Sequence, residues 1–429
     1  MESDRLPRTA STLKTTASTR MHTNLASPYY SPCLRRNNQS TMAQPASQTT
    51  HVKGDDSEED YIDVNTNGPD NQLDDIRKHI ENHELSSKSL EKSIFTEYEE
   101  SNPSKSEFSS TTNPNSFRLD QFHTHLQINS FLKALTYKYP SMAQLITIGY
   151  SSQGHQLLAI KLSSSSISAS KRVIWIDAGA NANNWAGVTA SVYIASQLVQ
   201  KYAADSSIQN VMNNFVVYIL PVVNPDGYQY TWSTDRSWRK SRSITQCTFW
   251  KCCHGTNLNR NWPYKWGDKH QFGASSNPCS SIFYGTGPLS EPETLAVSKQ
   301  LQRLQNRLAA YFTFDGNGQQ LLYPFSYHKN TPAPNKKSLI HVGTNGIRAM
   351  NSVHGAGYRL VTGGNAAFQA MSGFPMDWVS AQLRVNYTYA IRGRPNGGSG
   401  APGYLLPASQ ILPNAEEILE GIKAMVAQI

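Results

Sequence analysis

No apolar run in this sequence is long enough to cross a bilayer. The longest, FVVYILPVV at Phe215–Val223, holds nine residues, against about 20 for a spanning helix. The opening stretch MESDRLPRTASTLKTT lacks the apolar core of a secretory signal, and restarting at Met21 or Met42 does not supply one. There is no Lys/Arg block and no RNA- or DNA-binding motif. The net charge of +8 therefore reads as a soluble basic surface, with no nucleic acid as partner. No internal repeat is found.

Cysteine is scarce as well. Of five, Cys247, Cys252, Cys253 and Cys279 fall in one short region, and Cys33 stands apart. The cluster points to local disulfides and an oxidising compartment, whereas the missing signal points the other way. A zinc knuckle using His254 is the alternative, disfavoured because paired C-x-x-C spacing is absent.

Residues 1–70 are rich in Ser, Thr, Asn and Pro and poor in large apolar side chains. Such a segment cannot bury enough surface to offset its ordering entropy, so disorder is expected there. Its sequon at Asn38 matters only if the chain is exported. In residues 71–116, Leu73, Ile76, Ile80, Leu90 and Ile94 give one or two amphipathic helices, followed by a Ser/Pro/Asn-rich linker.

From Phe117 the character changes. RVIWIDAG (172–179), FVVYILPVVNPDG (215–227), AAYFTFDG (309–316) and VNYTYAIRG (385–393) are near-continuous strands. Helical patterns lie between them, with a last helix in AEEILEGIKAMVAQI. Strands apolar on both faces and separated by helices predict a buried, parallel or mixed sheet covered on both sides. The turn after the first of these strands is where an α/β enzyme usually keeps its chemistry. Here it reads GANANNW and carries only neutral amides: Asn181, Asn183 and Asn184.

The stretches WIDAGANANNW, PVVNPDGYQYT, RSWRKSR, LNRNW, GASSNPCS, QLLYPFSY, MDWV and GYLLPASQILP come in one order across residues 117–429. In this the chain resembles the zinc metallocarboxypeptidases of the pancreatic A/B type. The resemblance implies one α/β domain built on an eight-stranded mixed twisted sheet flanked by helices. It also implies a monomer, and it favours secretion, as do the cysteines. Residues 71–116 then stand where a prodomain would, keeping only something like its connecting helix.

At the positions that matter most the chain departs from the family. The turn after the first strand should read His-x-x-Glu, giving two zinc ligands, with a substrate-binding Arg between them. Here those positions are Asn181, Asn184 and Asn183. The third ligand, a His, aligns with Asp315, the general-base Glu with Ala390, and the lid tyrosine with Phe368. The acidic residue that orients a zinc His aligns with Asn257. A neutral amide is a poor zinc ligand, and without zinc no water is acidified and no carbonyl polarised. Ala390 cannot take a proton. Loss of zinc and an inactive protein are therefore expected. The rivals are an active metallocarboxypeptidase with altered ligation, and an interaction protein with a vestigial cleft.

Other family positions persist. Arg239 matches the arginine that stabilises the oxyanion. Asn259 and Arg260 match the pair that grips a peptide's terminal carboxylate, a task suited to the planar guanidinium fork. Met376 matches the specificity position and, being neutral, favours apolar C-terminal side chains. Peptides or proteins with a free apolar C-terminus are the implied partners. Against this stand three simpler roles. Asn259 and Arg260 could merely bond loops, Arg239 could pair with Asp315, and the amide cluster could hold calcium, although one carboxylate is few for that ion. The resemblance also implies a Cys253–Cys279 disulfide, with Cys247 and Cys252 a weaker candidate pair. The sequon at Asn386 falls on a core strand and is expected to go unused.

Overall fold

The computed structural model describes residues 117–164, 170–247, 252–268, 273–331, 333–366, 370–396 and 405–429. All belong to the second of the chain's two units, Ser101–Ile429. The expectations for residues 1–70 and 71–116, for Cys33 and for Phe368 lie outside the described residues.

The first helix, α1 (His125–Lys138), opens on a capping box: Thr124 and Gln127 each take the other's backbone N–H through a side-chain oxygen. Two strands follow, β1 (Ala143–Tyr150) and β2 (Gln156–Leu162), then β3 (Arg172–Ala178) and α2 (Trp185–Gln200). Next come α3 (Ser206–Asn214), β4 (Phe215–Leu220) and α4 (Pro225–Ser233), and a short ribbon of β5 (Ile244–Cys247) and β6 (Cys252–His254). The second half holds α5 (Pro292–Leu304), β7 (Leu308–Asn317), β8 (Gln320–Tyr323) and α6 (Lys336–His354). It closes with β9 (Arg359–Thr362), α7 (Pro375–Ala381), β10 (Tyr387–Gly393) and α8 (Ile411–Val426).

Eight strands form one mixed sheet in the order β1-β2-β4-β3-β7-β10-β8-β9. The four runs read as strands from sequence are its four central members, β4, β3, β7 and β10, all mutually parallel. One of them was drawn too long. β4 stops at Leu220, and the NPDG at its expected end starts α4, with the Asn224 side chain capping Gly227 N–H and Pro225 in the first turn. The Asn386 sequon also shifts: Asn386 is exposed and precedes β10, and only Tyr387 and Thr388 lie on the strand.

Alternation along the central strands divides the core. Ile174, Ile176 and Ala178 of β3 join Ala310, Phe312 and Phe314 of β7 in one cluster, which also packs α1, α2, α6 and α8. Val173, Trp175, Leu308 and Tyr311 join the other cluster, with residues of α5 and α7. The sheet is therefore covered on both faces. Each fully buried large side chain, such as Trp175 or Phe312, contributes about 1.5–3 kcal/mol of burial free energy. This buried platform holds the carboxyl ends of β3, β7 and β10 side by side, with Ala178 opposite Phe314 and Phe314 opposite Ile391.

Candidate functional site at the carboxyl ends of the central strands

The chain leaves β3 through Gly179, whose φ is +70°. A Cβ there would sit 2.9 Å from Val188 Cγ2 and 3.2 Å from the Pro221 carbonyl, so a larger residue would strain both backbone and packing. This tight turn lays Asn181, Asn183 and Asn184 over the end of β7, all three buried.

Each amide has a defined job. Asn184 caps α2: its Oδ1 accepts from Gly187 N–H at 3.1 Å, and its Nδ2 donates to the Phe314 carbonyl at 3.0 Å. Asn181 Nδ2 donates to the Asp315 carbonyl at 2.8 Å and to Asp315 Oδ1 at 3.3 Å. Its Oδ1 accepts from Arg239 Nε at 2.8 Å. Asn183 Nδ2 donates to the Ser237 carbonyl at 3.1 Å, while its buried Oδ1 has no partner.

Asp315, fully enclosed near the end of β7, is the centre of the arrangement. Its Oδ1 accepts from Asn259 Nδ2 at 3.0 Å, and its Oδ2 accepts from Arg392 Nε at 2.9 Å. Arg392 Nη2 reaches the same oxygen at 2.8 Å. Burial pushes the Asp315 carboxyl up, but the charges of Arg392 and Arg239, with the Arg392 hydrogen bonds and Arg260 behind them, hold it below the usual carboxylate range. Arg239, weighed above as its partner, meets Asn181 through Nε and also acts on Asp315 through its charge; Arg392, a residue the sequence reading missed, forms an ion pair with the same carboxylate. Its signal was in view, two positions past Ala390 in the segment YTYAIRG.

Asn259 and Arg260 occupy a short 3-10 turn, Leu258–Arg260, capped by Asn257, whose Oδ1 accepts from Asn259 N–H at 3.0 Å. Asn257 Nδ2 goes on to the Ser281 carbonyl at 2.9 Å. Arg260 donates Nε to the Gly273 carbonyl and Nη1 to the Asn259 carbonyl, the latter at 2.9 Å. The Oδ1 of Asn259 is buried with no partner. Met376 and Ala390 are fully buried in the same apolar cluster as Met371, Phe374 and Trp378. Beside Met376, Asp377 is fixed by the N–H groups of Ser326 and Tyr327. A disulfide joins Cys253 to Cys279, with Cα atoms 5.0 Å apart. Cys252 is also disulfide-bonded, and it lies directly opposite Cys247 in the β5–β6 ladder.

Buried polar and cationic groups at the carboxyl ends of three adjacent parallel strands define the class: an α/β protein whose polar groups gather where such sheets bind ligands. The chain belongs to the zinc carboxypeptidase family, which it matches over residues 128–421. Carboxypeptidase B of Astacus astacus is 34% identical over 304 residues, covering 71% of this chain and 95% of that protein. Carboxypeptidase O of Homo sapiens is 32% identical over 309 residues, covering 72% and 79%. Among solved structures, bovine thrombin-activatable fibrinolysis inhibitor in complex with tick carboxypeptidase inhibitor superposes with a TM-score of 0.64 at 31% identity. It covers 72% of this chain and 97% of that one.

The donor set here does not fit the metal in the family's name. Zinc takes imidazole, thiolate or carboxylate. Asn184 Oδ1 is committed to a helix cap, Asn181 Oδ1 to Arg239, and both Asp315 oxygens to Asn259, Asn181 and Arg392. Among the described residues no three His, Cys, Asp or Glu side chains gather closely enough to hold a metal ion. Any cation would also face the guanidinium groups already acting on Asp315.

Proposed function

We propose that this chain is a catalytically inactive member of the family that binds peptide C-termini through the former substrate cleft. The observation that carries the reading is the side-chain chemistry of four positions. Asn181, Asn184 and Asp315 are internally bonded where zinc ligands are expected, and Ala390 presents a methyl group where a base is expected. The binding half of the proposal rests on Arg239, Arg260 and Asn259 around the cleft, with Met376 favouring apolar terminal side chains. Such a site takes peptides or proteins with a free carboxylate and requires no zinc.

A second reading has an observation of its own. Arg260 bonds the carbonyls of Gly273 and Asn259, as a residue that only braces loops would.

Two measurements on the full chain test the proposal. Elemental analysis is expected to find no stoichiometric zinc, and apolar-ended peptides should keep their last residue with or without added zinc. About one equivalent of zinc with chelator-sensitive release would overturn inactivity. Calorimetry should show binding of a free-acid peptide at roughly micromolar to millimolar Kd, and none of its C-terminal amide. Equal affinity for acid and amide would leave the loop-bracing reading.

A further inference from the structure

Arg242, just before the β5–β6 ribbon, is held by aromatic rings and not by an acid. Its guanidinium carbon lies 3.8 Å from the centroid of the Tyr230 ring and 4.5 Å from that of Trp238. The two rings meet edge to face at 5.1 Å. Among the described residues, the Arg242 side chain takes part in no hydrogen bond and no ion pair. Contact with a ring uses the face of a guanidinium and leaves its N–H edge open. Across the ribbon, His254 is paired with Ile244, and Arg242 stands two positions before Ile244. Arg242, Tyr230, Trp238 and His254 are all half-buried, so solvent reaches the group. A second cation is near: Lys240 Nζ lies 5.9 Å from the Trp238 ring and donates to the Pro278 carbonyl at 2.6 Å. Burial, and then the charges of Arg242 and Lys240, push the His254 imidazole below its usual range. The carboxylate that acts on Lys240, Glu291, accepts from the Ser241 and Ser243 hydroxyls at 2.7 Å each and makes no contact with Arg242.

We propose that Arg242 and His254 form a binding site for a sulfate or phosphate ester, with Tyr230 and Trp238 holding the guanidinium in place. Contact with two rings restrains the plane of the fork, so little freedom is lost when it closes on an anion. A phosphate or sulfate monoester presents three terminal oxygens. Two can meet the Arg242 fork in one plane, and the third is left for a protonated His254. A carboxylate has only the two oxygens that the fork takes. Lys240 is buried and bonded to Pro278, so it contributes field and not contact. A bound anion offsets the charges that disfavour the imidazolium, so ligand binding and proton uptake at His254 are linked. The site uses neither Arg239, Arg260 nor Asn259, and it stands or falls apart from the C-terminus-binding reading.

The test follows the ring resonances of His254 in the full chain labelled at histidine, assigned by their loss in His254→Gln. The probes are methyl phosphate, methyl sulfate and acetate, each compared with sodium chloride at equal ionic strength. At least one ester should shift the resonances saturably, with a Kd of about 1 mM or below. The tighter of the two esters identifies the source of the anionic group. In the saturated protein His254 should titrate at higher pH than it does in chloride. Arg242→Gln removes the charge and the fork and should weaken ester binding about tenfold or more, a change of about 1.4 kcal/mol. Shifts no larger than those of chloride, or equal ester binding by a folded Arg242→Gln protein, overturn the site. Acetate binding as tightly as the esters overturns the ester assignment. If Arg242→Gln does not fold, wild type decides: a His254 titration unmoved by either ester overturns the proposal.

Discussion

Asn184 offers the sharpest test of whether the turn amides are structural. Its side chain does two things at once. It accepts the Gly187 N–H as the cap of α2 and donates to the Phe314 carbonyl of β7. The fit is close: a Cβ on Gly187 would lie 2.6 Å from Asn184 Nδ2. Removing the amide by Asn184→Ala loses a cap, about 1 kcal/mol. It also leaves a buried carbonyl at Phe314 without that donor, about 1–3 kcal/mol more. The sum is a destabilisation of roughly 2–4 kcal/mol. Asn184→Asp separates the two parts. Aspartate caps as well as asparagine and suits the helix N-terminus, but it cannot donate to Phe314, so only the second loss remains, with repulsion between carboxylate and carbonyl added. The assay is urea unfolding at neutral pH, with the midpoint compared at unchanged slope. Asn184→Ala within about 0.5 kcal/mol of wild type, the range of an ordinary surface change, would refute the structural role. So would zinc-dependent stabilisation of wild type that Asn184→Ala abolishes.

Two further outcomes are expected. The Cys253–Cys279 bridge spans 26 positions, so Cys279→Ser should lower stability by about 3 kcal/mol; a thermal midpoint unmoved by that change or by reductant would contradict this. Glu293 is buried, and burial, with the charges of Glu291 and Asp226, pushes its carboxyl from 4.5 up to about 8 against the opposing Ser152 N–H bond. The folded chain therefore holds a proton that the unfolded chain releases above pH 4.5, and stability should fall as pH rises from about 5 to about 8. Glu293→Gln should flatten that decline; an equal slope in both proteins would rule the explanation out.

How much of this was legible in the sequence follows from where each signal is stored. β3, β4, β7 and β10 were readable because strands buried on both faces are apolar nearly throughout. β1 and β9 were not, since their half-exposed residues give no such run. α4 was hidden by attaching NPDG to the preceding strand, although Asn224 and Pro225 carry a start signal. At the site, the chemistry of Asn181, Asn184, Asp315 and Ala390 was visible residue by residue, but their contacts were not. Arg392 meets Asp315 across 77 positions because the β7–β10 register slips between Ile391 and Arg392, setting Arg392 opposite Gly316. Periodicity contains nothing about a slip of that kind.

The neutral amides at the turn now have a physical account. A metal bound by the turn and by β7 would tie together two segments far apart in sequence. In this chain hydrogen bonds do so, from Asn181 to Asp315 across 134 positions and from Asn184 to Phe314 across 130. A tie to a carbonyl needs a donor, whereas a helix cap or an arginine needs an acceptor. Ionised carboxylates only accept, and a protonated imidazole only donates. The carboxamide does both without charge, as Asn184 does between Gly187 and Phe314 and Asn181 does between Arg239 and Asp315. Three neutral side chains can thus hold the turn beside three arginines without adding to their charge. The one carboxylate in the arrangement sits where the cations require it.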